Sequence, residues 1–331
     1  MLEIPWTDTR DAEAVQHTLR EAAQTLHQRS CRQGSIDVLP EHGTLLVSGD
    51  LHDNPFHFEA LLRMARLDAG EDRHLILHEL IHGEHLLNGM DFSYRMLLKT
   101  ADLVQVHPGV HPMLANHEIA QLMKTRVTKG HGECVTLFRD ALEFTFGEHW
   151  EAVELALDEF IAAMALGVRA ENGVWCSHSL PGRAVMSSFD PEIIRRSLVV
   201  SDFEKPKGSA YLMTWGRVFE DEDLDQLAKA WQVQLFCLGH RKVPTGVESE
   251  GDRLVLVNSD HDGARAFTLD LNQPPPSPED GVLRSRPLKS DSSPDGFGGT
   301  EEEGGSMFAG FRWGRFASQV PLPGISVRPS V

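Results

Sequence analysis

The sequence has little cysteine, no surplus of positive charge and no long apolar run, and each shortage excludes a class of protein. Its four cysteines in 331 residues, Cys31, Cys134, Cys176 and Cys237, form no CxxC pair. They read as buried, reduced thiols of a cytoplasmic protein, not as a disulfide framework or a thiolate metal site. Lys and Arg number 31 against 49 Asp and Glu, a formal net charge of -18. Such a chain repels polyanions, which argues against a nucleic-acid backbone as partner. No apolar stretch approaches the ~20 residues that cross a bilayer. The first twenty residues carry acidic groups and no apolar signal core, which argues against secretion. There is no internal repeat. What is present is 41% hydrophobic, enough for a sizeable core in one large domain or two small ones.

The strongest positive signal is how the apolar runs end. In order they read LLVSGDLHDN (45–54), HLILHELIHG (74–83), MLANHE (113–118), VWCSH (174–178) and LFCLGH (235–240). Each is an apolar stretch of strand length that stops at Asp, Glu, Asn or His. In open α/β sheets, sites are assembled at strand ends from distant parts of the chain. Carboxylate, amide oxygen and imidazole are what hard and borderline divalent metals prefer. One such ending means little; five in series imply convergence.

These residues carry a family resemblance. GDLHDN resembles the GDxHGN motif of the calcineurin-like metallophosphoesterases, in particular the branch of the serine/threonine phosphoprotein phosphatases. ANHE resembles their GNHE motif, and Ser177–His178 and Gly239–His240 resemble their two later histidine motifs. The resemblance covers about residues 44–271. It implies an α/β fold, a four-layer α/β/β/α sandwich with two mixed sheets and a helical insertion. It also implies two metal ions (Mn²⁺, Fe or Zn²⁺), with Asp50 and His52 on the first and Asn116, His178 and His240 on the second. Glu79 falls where the family places a bridging Asp, and His117 where it places the acid that protonates the leaving group. The implied partner is a phosphorylated protein or small molecule. Arg241 and Lys242 follow His240, so the GHxH pattern of the wider phosphodiesterases is not matched.

The second motif departs from the family. Where GDxxDRG is usual, this chain has HELIHG. Glu79 replaces the bridging Asp, His82 stands where a second Asp orients the catalytic histidine, and the phosphate-binding Arg is missing. Arg183, Arg217 in TWGR and Arg241 are candidate replacements. TWGR resembles a W-x-R segment of related phosphatases, which favours Arg217. The same six residues open a rival reading. His78, Glu79 and His82 spell HExxH; on a helix this would be a zinc metalloprotease site with Glu79 as base. Gly83 would weaken that helix, no HxxGxxH continuation follows, and the other four endings would go unexplained. A third reading is a degenerate, non-catalytic protein that binds metal or phosphate. Retention of His117, which a scaffold does not need, speaks against it.

The remaining chain divides by composition. Residues 1–42 read as an amphipathic N-terminal helix over 8–32, capped by Asp8, and a linker. Residues 43–271 hold the motif series, with 131–170 as a helical insertion placed to wall the site. Residues 272–331 are rich in Pro, Gly and Ser and read as a disordered tail. Within the tail, MFAGFRWGRF is aromatic and basic. His85, His107, His111 and His131 read as surface histidines. Glu220 to Asp225 reads as the solvated start of a helix, where acids are favoured.

Overall fold

A computed structural model describes residues 3–129 and 132–288. Helix α1 (Ala12–Gln28) buries Val15, Leu19, Ala22 and Leu26 on one face, the i, i+4, i+7 spacing of an amphipathic helix. Its N-cap is Asp11, whose Oδ1 accepts from the amides of Glu13 and Ala14 at 3.0 and 3.1 Å. Asp8, the cap expected from sequence, instead accepts from Arg10 in the preceding turn. Strands β1 (Arg32–Gln33) and β2 (Ile36–Leu39) follow and pair with each other, so residues 32–39 are a sheet hairpin and not a linker. Next come β3 (Thr44–Val47), α2 (Pro55–Ala65), β4 (Arg73–His78), α3 (Tyr94–Val106), β5 (Val110–Met113) and α4 (Asn116–Leu122). A small hairpin, β6 (Thr128–Lys129) and β7 (Gly132–Glu133), leads into α5 (Cys134–Phe146) and α6 (Trp150–Ala163). Strands β8 (Gly167–Ala170) and β9 (Val174–Ser177) then precede α7 (Ser209–Trp215) and α8 (Asp221–Trp231). The described chain closes with β10 (Leu235–Leu238), β11 (Val247–Glu250), β12 (Leu254–Val257), β13 (Arg265–Asp270), α9 (Pro278–Arg284) and β14 (Ser285–Pro287).

Two mixed sheets face each other. One has the order β1-β2-β8-β9-β10-β12-β11, the other β14-β13-β3-β4-β5. The space between them is filled from both: Leu45, Val47, Ile76 and Phe267 from the second sheet meet Val168, Val174, Cys176, Cys237 and Val255 from the first. Cys176 and Cys237 are register neighbours on β9 and β10 and are free thiols. Helices α2 and α3 pack on the outer face of the β3-β4-β5 side, and α8 covers the other sheet by stacking Trp231 on Trp175 with ring centroids 4.4 Å apart. This is the α/β/β/α sandwich expected from the sequence.

Three expectations need correcting. Residues 167–170 are not part of the helical insertion; β8 joins the sheet between β2 and β9. The tail does not begin at 272. Ser277 caps α9, its Oγ accepting from the Asp280 amide at 3.2 Å with Pro278 in the first turn, and β14 pairs with β13. The MFAGFRWGRF segment and His131 lie outside the described residues. Finally, His107 and His111 are buried, at 5% and 0% exposure.

His111 is buried because it joins the two sheets. Its Nδ1 lies 2.8 Å from Asp37 Oδ2 on β2, and its Nε2 lies 3.1 Å from His74 Nδ1 on β4. Arg32 holds the other carboxylate oxygen of Asp37 at 2.6 Å. Burial opposes ionisation of Asp37, but the bond to His111 and the Arg32 charge hold its pKa below the ordinary value. Burial, then His111, pushes His74 down to about 3. The signs agree. As pH falls below about 6.5, an unfolded His74 takes up a proton that the folded one refuses. Below about 4, the same holds for Asp37. The His74 contribution to stability should therefore fall from about pH 6.5 to pH 4, at about 1.4 kcal/mol per pKa unit of difference, while Asp53, Glu118 and Asp158, which burial raises to about 7, act in the opposite sense. Urea midpoints at pH 7, 5.5 and 4 check this. His74→Gln should flatten the fall, and a variant with the wild-type slope would contradict the assignment.

Candidate metal centre

The five endings converge. Asp50 follows β3 and forms isolated bridges to His78 at the end of β4 and to Asn258 just past β12. His178 follows β9, His240 lies two residues past β10, and Asn116 and His117 open α4. The Nε2 of His178 lies 2.7 Å from Asn116 Oδ1, 3.0 Å from His240 Nδ1 and 3.6 Å from Glu79 Oε1. Glu79 Oε2 lies 3.4 Å from His52 Nε2, and Asp50 Oδ1 accepts from the His240 amide at 2.9 Å. Among the described residues, Asp50, His52 and Glu79 form one potential ion-holding group, Glu79, His178 and His240 a second, and Asp50, His78 and His178 a third. Glu79, Asp50 and His178 each belong to two of the three.

The backbone is bent to achieve this. His52, Glu79 and His240 have φ of +46°, +47° and +64°, and Asp53 and His82 have +55° and +62°. Non-glycine residues seldom adopt the left-handed region, and such outliers cluster at functional sites. The turn at Glu79 also decides the protease question. β4 ends at His78, no helix follows, and His78 and His82 face different partners. HExxH therefore lacks the helix its zinc chemistry needs.

The donor set fits a cation. Asn116 Oδ1 and the Glu79 and Asp50 carboxylates only accept hydrogen bonds. Burial, reinforced by His240 and His78, keeps His178 well below the ordinary histidine pKa. Burial, then the Arg217 charge, lowers His240 to about 4. Neutral imidazoles with lone pairs and carboxylates at contact distance are held apart from water, at 5% exposure or less for Asp50, Glu79, Asn116, His178 and His240. A divalent ion removes the conflict among so many lone pairs. The fit is tight at Gly239. A Cβ there would lie 2.4 Å from both Asp50 Oδ1 and His78 Cε1. Gly239→Ala should therefore cost about 1–3 kcal/mol by overpacking and weaken metal uptake. A urea midpoint and metal content equal to wild type would contradict this.

His117 stands beside the cluster, its Nε2 3.8 Å from Glu79 Oε1 and its ring 5.2 Å from that of His52. His82 packs 5.4 Å from the His117 ring and is held at Nδ1 by Asp91 Oδ2 at 2.7 Å. Of the candidate arginines, Arg183 pairs with Asp223 at 3.0 Å and Arg241 with Glu250 at 2.5 Å. Both carboxylates lie outside the cluster. Arg217 sits exposed on the loop after α7, and its charge acts on His240. Sequence reasoning gave His78 only to the rival zinc site, and it missed Asp91 and also Asp260, whose Oδ2 lies 3.9 Å from His52 Nε2. Asp260 had a signal: LVLVNSD (254–260) is a sixth apolar run ending in Asn and Asp. Asp91 had none, because its role depends on a loop that folds back. The insertion helix α5 reaches the site edge, where Phe138 meets the His82 ring edge-on at 5.5 Å.

No protein-family model matches the sequence, and no curated protein matches it. Solved structures do match the fold. A protein serine/threonine phosphatase from Saccharomyces cerevisiae, with similarity to human phosphatase PP5, aligns over 78% of this chain and 83% of its own. The TM-score is 0.55 at 16% identity. A point mutant of a cold-active protein tyrosine phosphatase aligns over 74% of this chain and 80% of its own, with a TM-score of 0.51 at 12% identity. The chain has the fold of these phosphatases.

Proposed function

We propose that this protein is a metal-dependent phosphoesterase of the calcineurin-like type. The observation that carries the reading is that Asp50, His52, Glu79, Asn116, His178 and His240 come from separate segments yet meet around one buried point. Two ions of the Mn²⁺, Fe or Zn²⁺ kind, if held by these residues, would supply an activated water and polarised phosphoryl oxygens. Glu79 would be the carboxylate they share. His117 keeps a proton on the edge of the cluster and gives it to the departing alkoxide. Arg217 stands at the exposed rim and takes the non-bridging phosphoryl oxygens, offsetting charge that grows in the transition state. No nucleophilic Ser or Cys is required, because water attacks directly.

The substrate is a phosphorylated protein or a small phosphoester. The test is an assay of metal-reconstituted protein on phosphopeptides, dinucleoside polyphosphates and p-nitrophenyl phosphate, run beside casein digestion. Metal-dependent phosphate release without proteolysis is expected. Casein cleavage with no phosphate release would reverse the reading.

A further inference from the structure

The outer face of the seven-stranded sheet carries a cavity that the proposed reaction does not use. Side chains alternate along β8. Val168 faces the space between the sheets, so Arg169 points the other way. There it lines a cavity of about 260 Å³ together with Ile36, Val38, Ile194, Arg195 and Trp231. The walls are fixed by close packing. Gly34, at φ +61°, lets the β1–β2 turn lie against residues 194–196; a Cβ there would be 2.5 Å from the Arg195 carbonyl carbon. Ser35 Oγ donates to the Ile193 carbonyl at 2.9 Å, and the Trp231 indole N–H donates to the Pro191 carbonyl at 3.1 Å.

Two guanidiniums and, among the described residues, no carboxylate line this space, in a chain whose net charge is -18. Arg195 pairs with Glu192 at 2.9 Å, both side chains being 61% exposed. Arg169 has no such partner. Among the described residues its one hydrogen bond is a long one, 3.4 Å to the Trp231 carbonyl at the end of α8. Its Nε is buried without an acceptor. A guanidinium has five N–H donors, and a desolvated cation left unpaired is costly. We infer that this cavity is a binding site for a small carboxylate with an apolar body. The carboxylate meets the planar fork of Arg169, and the body rests on Ile36, Val38, Ile194 and Trp231. One unpaired cation matches one negative charge, which favours a carboxylate over a phosphate dianion. The volume lies just below the ~300 Å³ at which pockets for drug-sized ligands begin, so the ligand is small. None of these residues belongs to the metal centre, and the site does not depend on it.

The experiment uses full-length protein, with benzoate as the probe and benzamide as its neutral counterpart. The indole nitrogen–proton signal of Trp231, assigned with Trp231→Phe, reports on the cavity. Benzoate should shift it saturably, and benzamide should not. Arg169→Gln keeps a donor for the Trp231 carbonyl but loses the charge. It should weaken benzoate binding by ~10–100-fold, the size of a lost hydrogen bond to a charged group. Arg195→Gln should weaken it less, because Glu192 already holds that guanidinium. No saturable shift in wild type, or equal binding of benzamide, would overturn the inference. So would wild-type affinity in Arg169→Gln, which would place the benzoate elsewhere, the metal centre included. Tighter binding of inorganic phosphate than of benzoate would overturn the ligand class. If Arg169→Gln does not fold, the comparison of benzoate with benzamide and the Arg195→Gln variant decide, and unchanged affinity in Arg195→Gln then overturns the inference.

Discussion

Replacing His117 by Asn is expected to leave metal content near that of the wild type while turnover falls by ~10²–10⁴, the usual contribution of a positioned acid. The expectation follows from where His117 sits. Its Nε2 is 3.8 Å from Glu79 Oε1, adjacent to the ligand cluster, while His178 contacts both Asn116 and His240 directly. Asn retains a polar group of similar size but cannot donate a proton at a useful pKa. The loss should shrink for esters with good leaving groups, which depart without protonation. p-Nitrophenyl phosphate and phenyl phosphate, compared in one series with metal analysis of each preparation, provide the measurement. A variant that loses its metal would make His117 a ligand and remove the acid from the scheme. An equal loss on both esters would do the same by another route, since the leaving group would then be indifferent to the residue.

Much of the site was legible in the sequence because strand ends are local signals. GDLHDN, NHE, SH and GH each need only a run of apolar residues followed by the right side chain, and the sheets then place those ends together. Helix α1 and strand β10 were legible for the same reason, from periodicity and an apolar run, although α1 is capped by Asp11 and not by Asp8. The failures are non-local. Asp91 reaches His82 only through the loop after Gly83. His111 looked like a surface histidine because nothing near it in sequence reveals that Asp37, 74 residues earlier, accepts its proton from the facing sheet. Ile36–Leu39 and Gly167–Ala170 were absorbed into a linker and an insertion. Each is a four-residue strand whose identity depends on the other, its parallel partner. Arg241 looked suitable beside His240, yet Glu250 on the neighbouring β11 claims its guanidinium. HExxH misled in the opposite direction. Its spacing is local, but the left-handed turn at Glu79 that breaks any helix is imposed by the sheet it leaves.

Glu79 carries the other large expected effect. It sits at the junction of the two ligand groups, 3.4 Å from His52 and 3.6 Å from His178 through different carboxylate oxygens, and it is 2% exposed. Removing its charge should therefore affect both halves at once. Glu79→Gln keeps the shape and deletes the negative charge that two cations would share. At least one ion should be lost, with turnover falling accordingly. Glu79→Asp shortens the arm by one methylene and restores the residue type that the resembling family uses. It should be milder, because the carboxylate remains and the left-handed backbone tolerates Asp better than most side chains. Metal analysis by mass spectrometry and kinetics on both variants, at matched metal concentration, separate the outcomes. Two ions and full activity in Glu79→Gln would remove Glu79 as the bridge. HELIHG would then be a structural turn, and the cluster would have to hold a single ion between Asn116, His178 and His240 or recruit Asp260 as its second carboxylate.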